Sequence, residues 1–480
     1  MNAPMRRVAM VAIALFALLI GNLTWVQFVQ NDFYATHAAN TRVTQEEYSR
    51  QRGAILADRE AIATSVATEG ELKYQREYAN GPLYANLTGF KSLDYGASGI
   101  EGAENEVLSG SDDRLFVDRI TDTFTGREPA GGNVILSVNP KVQEAMAKGI
   151  GNSIGAAVAF DPKTGAILGQ YTSPSYDPNL LANHDRDAVS KSWTELNNDA
   201  SKPMLDRSAS DRYPPGSTFK VIVSAAALKS GMTPDTMVPA GNAYSPPDTT
   251  HVIRNSNDQC AEAQLPLKEA FARSCNTTFA KLCVDTLGGD KIREMATAFG
   301  FEEDYLTPLP VVASTTGDLG DKARLAQSCI GQNEVAATPF QMAMVSAAIA
   351  NGGNRMAPFL IKELQSPDQT TLERTTADEL NESVSAEVAT GLQTMMREVV
   401  SGTNGTGKDA AIDGVIVGGK TGTAEHGTGA AEHGWFTGWA MGADGKPAVA
   451  VAVFLESAGD GGSREATEIA GNVMKAALGK

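Results

Sequence analysis

A serine and a lysine three residues apart form the first group with chemical potential in this 480-residue chain. Ser217 and Lys220 follow two prolines and a glycine and precede the apolar residues 221–223 and 225–228. A serine is a weak nucleophile until a base accepts its proton. A lysine at the start of a buried helix can supply that base, because burial lowers the pKa of its amine. Taken alone, the pair fits equally a helix-capping serine with a surface lysine.

The second group is Ser274 with Asn276, which lie between two predicted helical runs, residues 267–273 and 277–287. A serine hydroxyl and an amide there can relay a proton and hold a neighbouring amine. Serine and asparagine are also the commonest residues at helix starts, so a capping role fits as well.

The third group is Lys420, Thr421, Gly422 and Thr423, after an apolar β-run at residues 415–417. With Gly414 and Gly419, the same stretch satisfies the phosphate-loop pattern G-x-x-x-x-G-K-[ST]. A phosphate loop must open a helix, whereas the residues that follow predict a loop and then a strand at 434–439. We therefore predict no nucleotide site.

The tetrapeptide Ala-Glu-His-Gly occurs twice near this third group, at residues 424–427 and 431–434. Two Glu-His pairs could suggest a metal site, but glycine-rich spacing offers no rigid ligand geometry. We predict a solvated hairpin loop beside the strand, with no metal and no cofactor.

The order S-x-x-K, S-x-N, K-T-G is far more specific than any one of these groups. With it the chain resembles the class B penicillin-binding proteins, the monofunctional peptidoglycan transpeptidases, over nearly its whole length. Its short N-terminal module is most similar to the actinobacterial branch linked to septal wall synthesis. Further stretches that carry the resemblance are residues 52–59, 98–101, 108–110, 164–168, 173–179 and 331–339.

The resemblance implies a reaction through a covalent intermediate. Ser217 attacks the D-Ala-D-Ala carbonyl of a stem peptide, with Lys220 as the base, and terminal D-Ala leaves. Ser274, helped by Lys420, relays a proton to the leaving amine. An amine from a second stem peptide then completes the cross-link, and β-lactams acylate Ser217 as substrate mimics.

The resemblance also implies how the substrate is held. Asn276 holds Lys220 and the substrate amide. Thr421 and Thr423, which flank Gly422, bind the terminal carboxylate. The backbone N–H groups of Ser217 and Thr423 form the oxyanion hole. Asp206-Arg207 stands where many relatives have Asn-Arg.

The N-terminus predicts a membrane anchor. Arg6 and Arg7 precede an uncharged run at residues 8–29, which is long enough to cross a hydrocarbon core. The positive-inside rule puts residues 1–7 in the cytoplasm and the catalytic part outside the cell. A cleaved signal peptide and a buried core helix are the rival interpretations.

The rest of the chain divides into a non-catalytic module at residues 30–132 and a transpeptidase domain at 133–480. Strands are predicted at both ends of the second part and helices in its middle, which indicates an α+β fold. The family resemblance makes this an antiparallel sheet with helices on both sides and an all-helical lobe.

The composition of the chain restricts the kinds of molecule that it is expected to bind. The formal charge of −17 argues against nucleic acid. The expected partners are stem peptides, β-lactams, the cytoplasmic membrane and proteins of the divisome or wall-synthesis machinery. Cys260 and Cys275 could form a disulfide in an exported protein or stay reduced, whereas Cys283 and Cys329 are expected to be buried free thiols.

Two other functions stay open from the sequence. A D,D-carboxypeptidase or β-lactamase would use the same three motifs with water as the acceptor. A non-catalytic β-lactam sensor or divisome scaffold would bind without turnover, although the predicted cytoplasmic tail is too short to hold a signalling domain.

Overall fold

The computed structural model describes residues 3–30, 47–70, 72–247, 249–256, 258–425, 427 and 429–480. The predicted cytoplasmic residues 1 and 2, and residues 31–46 of the predicted N-terminal module, lie outside the described residues. So do Glu71 of that module, His426 of the doubled motif, and residues 248, 257 and 428.

The described strands, in chain order, are β1 (Ile55–Ala57), β2 (Glu60–Ala67), β3 (Tyr74–Tyr78), β4 (Lys91–Ser92), β5 (Gly96–Ala97), β6 (Asn133–Leu136), β7 (Gly155–Phe160), β8 (Ile167–Ser173), β9 (Met237–Pro239), β10 (Ala243–Tyr244), β11 (Ile253–Arg254), β12 (Gln264–Pro266), β13 (Tyr305–Leu306), β14 (Pro310–Val311), β15 (Asn354–Met356), β16 (Ile361–Gln365), β17 (Thr371–Arg374), β18 (Glu379–Glu382), β19 (Val417–Ala424), β20 (His433–Met441) and β21 (Pro447–Leu455).

The described α-helices are α1 (Ala3–Phe28), α2 (Gly81–Thr88), α3 (Gly99–Ala103), α4 (Asn105–Ser109), α5 (Phe116–Thr125), α6 (Pro140–Ile150), α7 (Asn179–Ala182), α8 (Arg186–Asn198), α9 (Lys220–Lys229), α10 (Leu267–Ala272), α11 (Asn276–Leu282), α12 (Gly289–Ala298), α13 (Lys322–Ser328), α14 (Pro339–Ala350), α15 (Ala386–Ser401) and α16 (Gly462–Ala477).

The sheet that carries the candidate site is antiparallel and joins both ends of the second part of the chain. Its strand order is β19-β20-β21-β7-β8, which leaves β19 at one edge. Helices α6 and α16 pack on one face and α14 on the other. Side chains alternate accordingly along β20: Phe436 packs toward α16, whereas Trp435 and Trp439 join the cluster that includes α14. The predicted α+β arrangement is confirmed.

The strand before the K-T-G residues differs from the prediction. The apolar run suggested a strand at residues 415–417, but β19 begins at Val417 and continues through Lys420 and Thr423 to Ala424. Lysine, glycine and threonine carry no apolar run, so the pattern stops too early. Full pairing with β20, residue by residue from Val417 to Ala424, holds the segment extended.

A second sheet lies in the N-terminal part, with the order β17-β16-β6-β1-β2-β3. Its strands come from both sides of residue 132, since β6, β16 and β17 follow the predicted module in sequence. The buried carboxylate of Glu101 accepts from Arg52 Nε at 2.6 Å and from Arg76 Nε at 2.5 Å, which ties helix α3 to this sheet. The division at residues 132 and 133 stays a prediction.

Helix α1 is long and apolar enough to cross a membrane and packs against nothing in the described chain. Its leucine and isoleucine side chains are exposed, which argues against a buried core helix.

Two disulfides surround the S-x-N residues. Cys260 pairs with Cys275 at a Cα–Cα distance of 6.0 Å, and Cys283 pairs with Cys329 at 6.5 Å. The expectation of free thiols at Cys283 and Cys329 is wrong. Each cysteine directly follows a helix, α11 or α13, and these helices pack together, so their ends meet. A separation of 46 residues gives no such signal in sequence.

Candidate active site

Ser217 lies in a short 3-10 turn, Gly216–Phe219, that leads directly into α9. Gly216 has a φ of 53°, and a Cβ there would lie 2.3 Å from the carbonyl oxygen of Thr423. Glycine is therefore required for the turn to approach β19 so closely. The approach brings the backbone of Ser217 beside that of Thr423.

Lys220 is fully buried, and its amine contacts each of the other three residues of the first two motifs. Its Nζ lies 2.9 Å from Ser217 Oγ, 2.6 Å from Asn276 Oδ1 and 2.8 Å from the carbonyl oxygen of Ser274. Ser274 Oγ lies slightly farther away, at 3.2 Å.

This arrangement suits a neutral amine. The carbonyl of Ser274 and Oδ1 of Asn276 can only accept, so they take the two N–H groups of a neutral Lys220. The remaining lone pair can then accept the hydroxyl proton of Ser217. Burial, reinforced by the charge of Lys420, holds the pKa of Lys220 well below its ordinary value, which favours the neutral form.

Ser274 and Asn276 lie at the junction of α10 and α11. Ser274 has a φ of 61°, a left-handed conformation that serine adopts only when its surroundings impose it. Cys275 between them is held by its disulfide, and Asn276 Nδ2 donates to the carbonyl of Arg254 at 3.0 Å. The backbone and both side chains are thus fixed around Lys220.

Lys420 points from β19 toward the same serine. Its Nζ donates to Ser274 Oγ at 2.9 Å and to the carbonyl of Thr421 at 3.0 Å. Burial lowers the pKa of Lys420 to about 7. The rings of Phe271 and Phe279 lie 5.6 Å and 5.7 Å from the amines of Lys420 and Lys220, close enough for cation–π contact when either is charged.

The three residues after Lys420 alternate between the side of β19 that faces the cavity and the side that faces the core. Thr421 and Thr423 line the cavity, as the two-residue period of a strand requires. Gly422 faces the other way, where a Cβ would lie 2.9 Å from the carbonyl oxygen of Pro215. Gly422 therefore allows close packing of the serine turn against β19.

A cavity of about 480 Å³ opens onto Ser217, Ser274 and Asn276. Thr406 belongs to no sequence motif, yet its Oγ1 lies 2.7 Å from Thr421 Oγ1 across the cavity wall. His251, Arg254 and Arg464 also line the cavity and belong to no motif. Glu425 and Glu432, from the doubled tetrapeptide, complete the charged part of the lining.

The phosphate-loop pattern and the doubled Glu-His motif do not form a nucleotide site or a metal site among the residues that the structure describes. Lys420 lies within a strand rather than at the start of a helix, so the phosphate-loop pattern has no anion-binding geometry here. His433, from the second Glu-His pair, is buried at the start of β20 and accepts from the backbone N–H of Ser457 at 3.0 Å. Within the described part of the chain, no three His, Cys, Asp or Glu side chains cluster as metal ligands would.

Comparison with known families matches most of the chain. A family model described as the penicillin binding protein transpeptidase domain matches residues 155–475. One described as the penicillin binding protein A dimerisation domain matches residues 52–134. The peptidoglycan D,D-transpeptidase PbpA of Mycolicibacterium smegmatis is 44% identical over 96% of this chain and 95% of its own length. The protein of the same name from Mycobacterium tuberculosis is 42% identical over 100% and 99%.

Solved structures agree with the fold. The ceftriaxone acyl-enzyme complex of M. tuberculosis penicillin-binding protein A matches with a TM-score of 0.87 and 41% identity, covering 90% of this chain and 100% of that one. Its imipenem acyl-enzyme complex matches with a TM-score of 0.86 and 42% identity over the same shares.

Proposed function

This chain belongs to the class B penicillin-binding proteins and is a peptidoglycan D,D-transpeptidase, and from that premise we propose the part each site residue plays. The acyl donor is a stem peptide that ends in D-Ala-D-Ala. β-Lactams inhibit the enzyme by forming a covalent acyl-enzyme, and the residue they acylate is the one that attacks the stem peptide.

Acylation begins at Ser217. The neutral amine of Lys220 takes the hydroxyl proton as Oγ attacks the carbonyl carbon of the penultimate D-Ala. The 2.9 Å distance between Lys220 Nζ and Ser217 Oγ is the observation that carries this proposal. The N–H groups of Ser217 and Thr423 stabilise the oxyanion, supported by the close approach of Gly216 to β19.

The leaving group needs a proton when the peptide bond breaks. Ser274 is the donor to the amine of the departing D-Ala, since its hydroxyl lies within reach of both lysines. The proton that Lys220 accepted returns through Ser274, and a charged Lys420 keeps that hydroxyl acidic. The bond to D-Ala breaks as the carbonyl of the acyl-enzyme re-forms.

The donor peptide lies along the free edge of β19. Edge strands present unpaired backbone groups that an extended peptide can bond, and β19 ends its sheet on the cavity side. Thr421 and Thr423 bind the terminal carboxylate, with the charge of Lys420 behind them. Asn276 orients Lys220 and contacts the peptide amide.

Deacylation by an amine from a second stem peptide reverses these steps. The amine loses its proton to the Ser274 and Lys220 pair as it attacks the ester, and Ser217 recovers its proton when the ester breaks. A carboxypeptidase would use water instead. The two outcomes separate when the purified chain receives a D-Ala-D-Ala peptide or thioester with an amine acceptor. An aminolysis product is expected, and hydrolysis alone would contradict transpeptidation.

The helix α1 is compatible with a single membrane span. We place the first residues in the cytoplasm and the catalytic domain outside, because Arg6 and Arg7 precede the span and peptidoglycan lies outside. Proteins of the divisome or wall-synthesis machinery are its proposed partners in the membrane.

A further inference from the structure

Helix α5 is oriented with its apolar side toward solvent. Four large apolar side chains lie on one face, at the spacing i, i+1, i+4 and i+8. Their exposed fractions are high for such residues: Phe116 55%, Val117 70%, Ile120 41% and Phe124 87%. Among the residues of the helix whose burial is described, the half-buried ones are instead the polar Arg119 and Asp122.

Specific contacts hold this orientation. Arg119 Nη1 donates to the carbonyl oxygens of Gly110 at 3.0 Å and Asp112 at 2.6 Å. Leu115, immediately before the helix, is buried beside Gly132. The polar face is therefore fixed to the module, and the apolar face is left for something outside it.

We propose that this apolar face lies in the headgroup–hydrocarbon boundary of the membrane in which helix α1 is anchored. The inference rests on the anchoring included in the proposed function and goes beyond it. It makes α5 a second, peripheral contact that sets how the N-terminal module stands on the membrane.

The path of the chain supports this location. Helix α1 ends at Phe28 and the described module begins at Glu47, so the tether spans at most about 65 Å when fully extended. Residues 51–53, at the start of the N-terminal module, lie beside residues 108 and 131, which are the two ends of the segment that contains α5. The N–H of Gly53 donates to the carbonyl of Leu108 at 2.9 Å, and the N–H of Gly131 donates to the carbonyl of Gln51 at 2.8 Å. Such a short tether keeps the bilayer at a high effective concentration near the helix.

The family model that covers α5 is described as a dimerisation domain, which makes a second copy the competing occupant, but the apolar face of α5 alone is too small for a stable dimer. Two phenylalanines with one valine and one isoleucine expose about 450 Å² per chain, judged from typical aromatic areas. A stable interface needs about 800 Å² on each partner. A bilayer has no such requirement.

The composition of α5 also predicts which lipids matter. The helix contains one arginine and no lysine, and the whole chain carries a charge of −17. Attraction to anionic headgroups therefore contributes little, and insertion of apolar side chains provides the binding. We expect the same contact in zwitterionic and in mixed anionic bilayers.

The test uses the full chain in phosphatidylcholine nanodiscs. The four native cysteines are paired, so Val117→Cys provides the single free thiol for an environment-sensitive fluorophore. We expect blue-shifted emission and strong quenching by nitroxide-labelled lipid. Ile416→Cys is the matched control, because Ile416 is 45% exposed immediately before β19, at the edge of the catalytic sheet. Its label should stay in water and be quenched at least threefold less.

Other results would overturn the proposal. Equal quenching at both positions would do so, as would a label at position 117 that reports water. A blue shift without lipid quenching, together with cross-linking between two copies at position 117, would assign the face to a second chain. Normal incorporation into nanodiscs without quenching would reject this contact alone, whereas failure to incorporate would reject the anchor itself.

A second variant, Phe116→Ser with Phe124→Ser, guards against misfolding. It should lower the quenching of the position 117 label at least threefold while the melting temperature and covalent penicillin labelling of Ser217 stay unchanged. A fall of several degrees in melting temperature would show that the face packs within the chain and would contradict membrane contact.

Discussion

The amine nitrogen of Lys420 lies 2.9 Å from the hydroxyl oxygen of Ser274, although 146 residues separate the two in the chain. The contact joins an edge strand of the sheet to the junction of two helices in the helical lobe. Because Ser274 also lies within reach of Lys220, its hydroxyl connects the two buried amines of the site. The ionisation of these amines therefore controls the proposed reaction.

The rate of acylation should depend on pH through the ionisation of both Lys220 and Lys420. Lys220 must be neutral to act as the base, so the rate rises with pH through its lowered pKa. Lys420 is expected to act while charged, so the rate falls as pH increases through about 7. In Lys420→Arg the guanidinium stays charged, and the alkaline fall should disappear even though the maximum rate is lower. Stopped-flow acylation by a chromogenic β-lactam from pH 5 to 10 measures this, and an unchanged alkaline limb would contradict the role of Lys420.

Replacing Lys220 by methionine should separate activity from stability. We expect acylation to slow by about 10³-fold, the usual effect of losing a general base. The melting temperature should stay equal or increase, because the buried amine, whose pKa is lowered, costs folding free energy at neutral pH. That cost is full at low pH and falls as the pH rises from the lowered pKa to the ordinary lysine value of 10.5, so the gain should shrink over this range and be absent above it. Lys229→Met, on the exposed end of the same helix, is the control. Acylation within threefold of the unmodified chain would exclude Lys220 as the base.

The Cys260–Cys275 disulfide should affect the reaction as well as stability. Removing it by two alanine substitutions should cost about 3 kcal/mol of unfolding free energy for its loop of 15 residues. Acylation should slow at least tenfold, because Cys275 lies between Ser274 and Asn276. Removing Cys283–Cys329 should cost about 4 kcal/mol for its longer loop, with a smaller effect on acylation. Denaturant unfolding and acylation rates measure both, and equal loss of activity in the two variants would refute this distinction.

Peptide mapping without reduction should find both bonds, and free thiols would contradict the pairing.

The sequence was informative at positions where burying a polar or charged residue costs free energy unless that residue has a functional role. The Ser217 and Lys220 pair and the Ser274 and Asn276 pair each had an ordinary explanation as capping or surface residues. The order of these two groups and the K-T-G group made the chemistry specific. Strands β7 and β8 pair as an antiparallel hairpin, because two apolar runs separated by the turn residues 161–165 define a hairpin locally.

Sequence failed where tertiary contact alone decides. Thr406 belongs to the cavity because its loop passes Thr421, and nothing in its neighbours indicates that path. Cys283 and Cys329 meet because two helices pack together. Strands β16 and β17 join the N-terminal sheet from more than two hundred residues away, a pairing that no local pattern encodes.

The most direct test of the account is mass spectrometry of the chain after reaction with benzylpenicillin. We predict one covalent adduct per chain, on the peptide that contains Ser217, and none on Ser217→Ala under the same conditions. An adduct that persists in Ser217→Ala, or that maps to another residue of the unmodified chain, would contradict the assignment of the nucleophile.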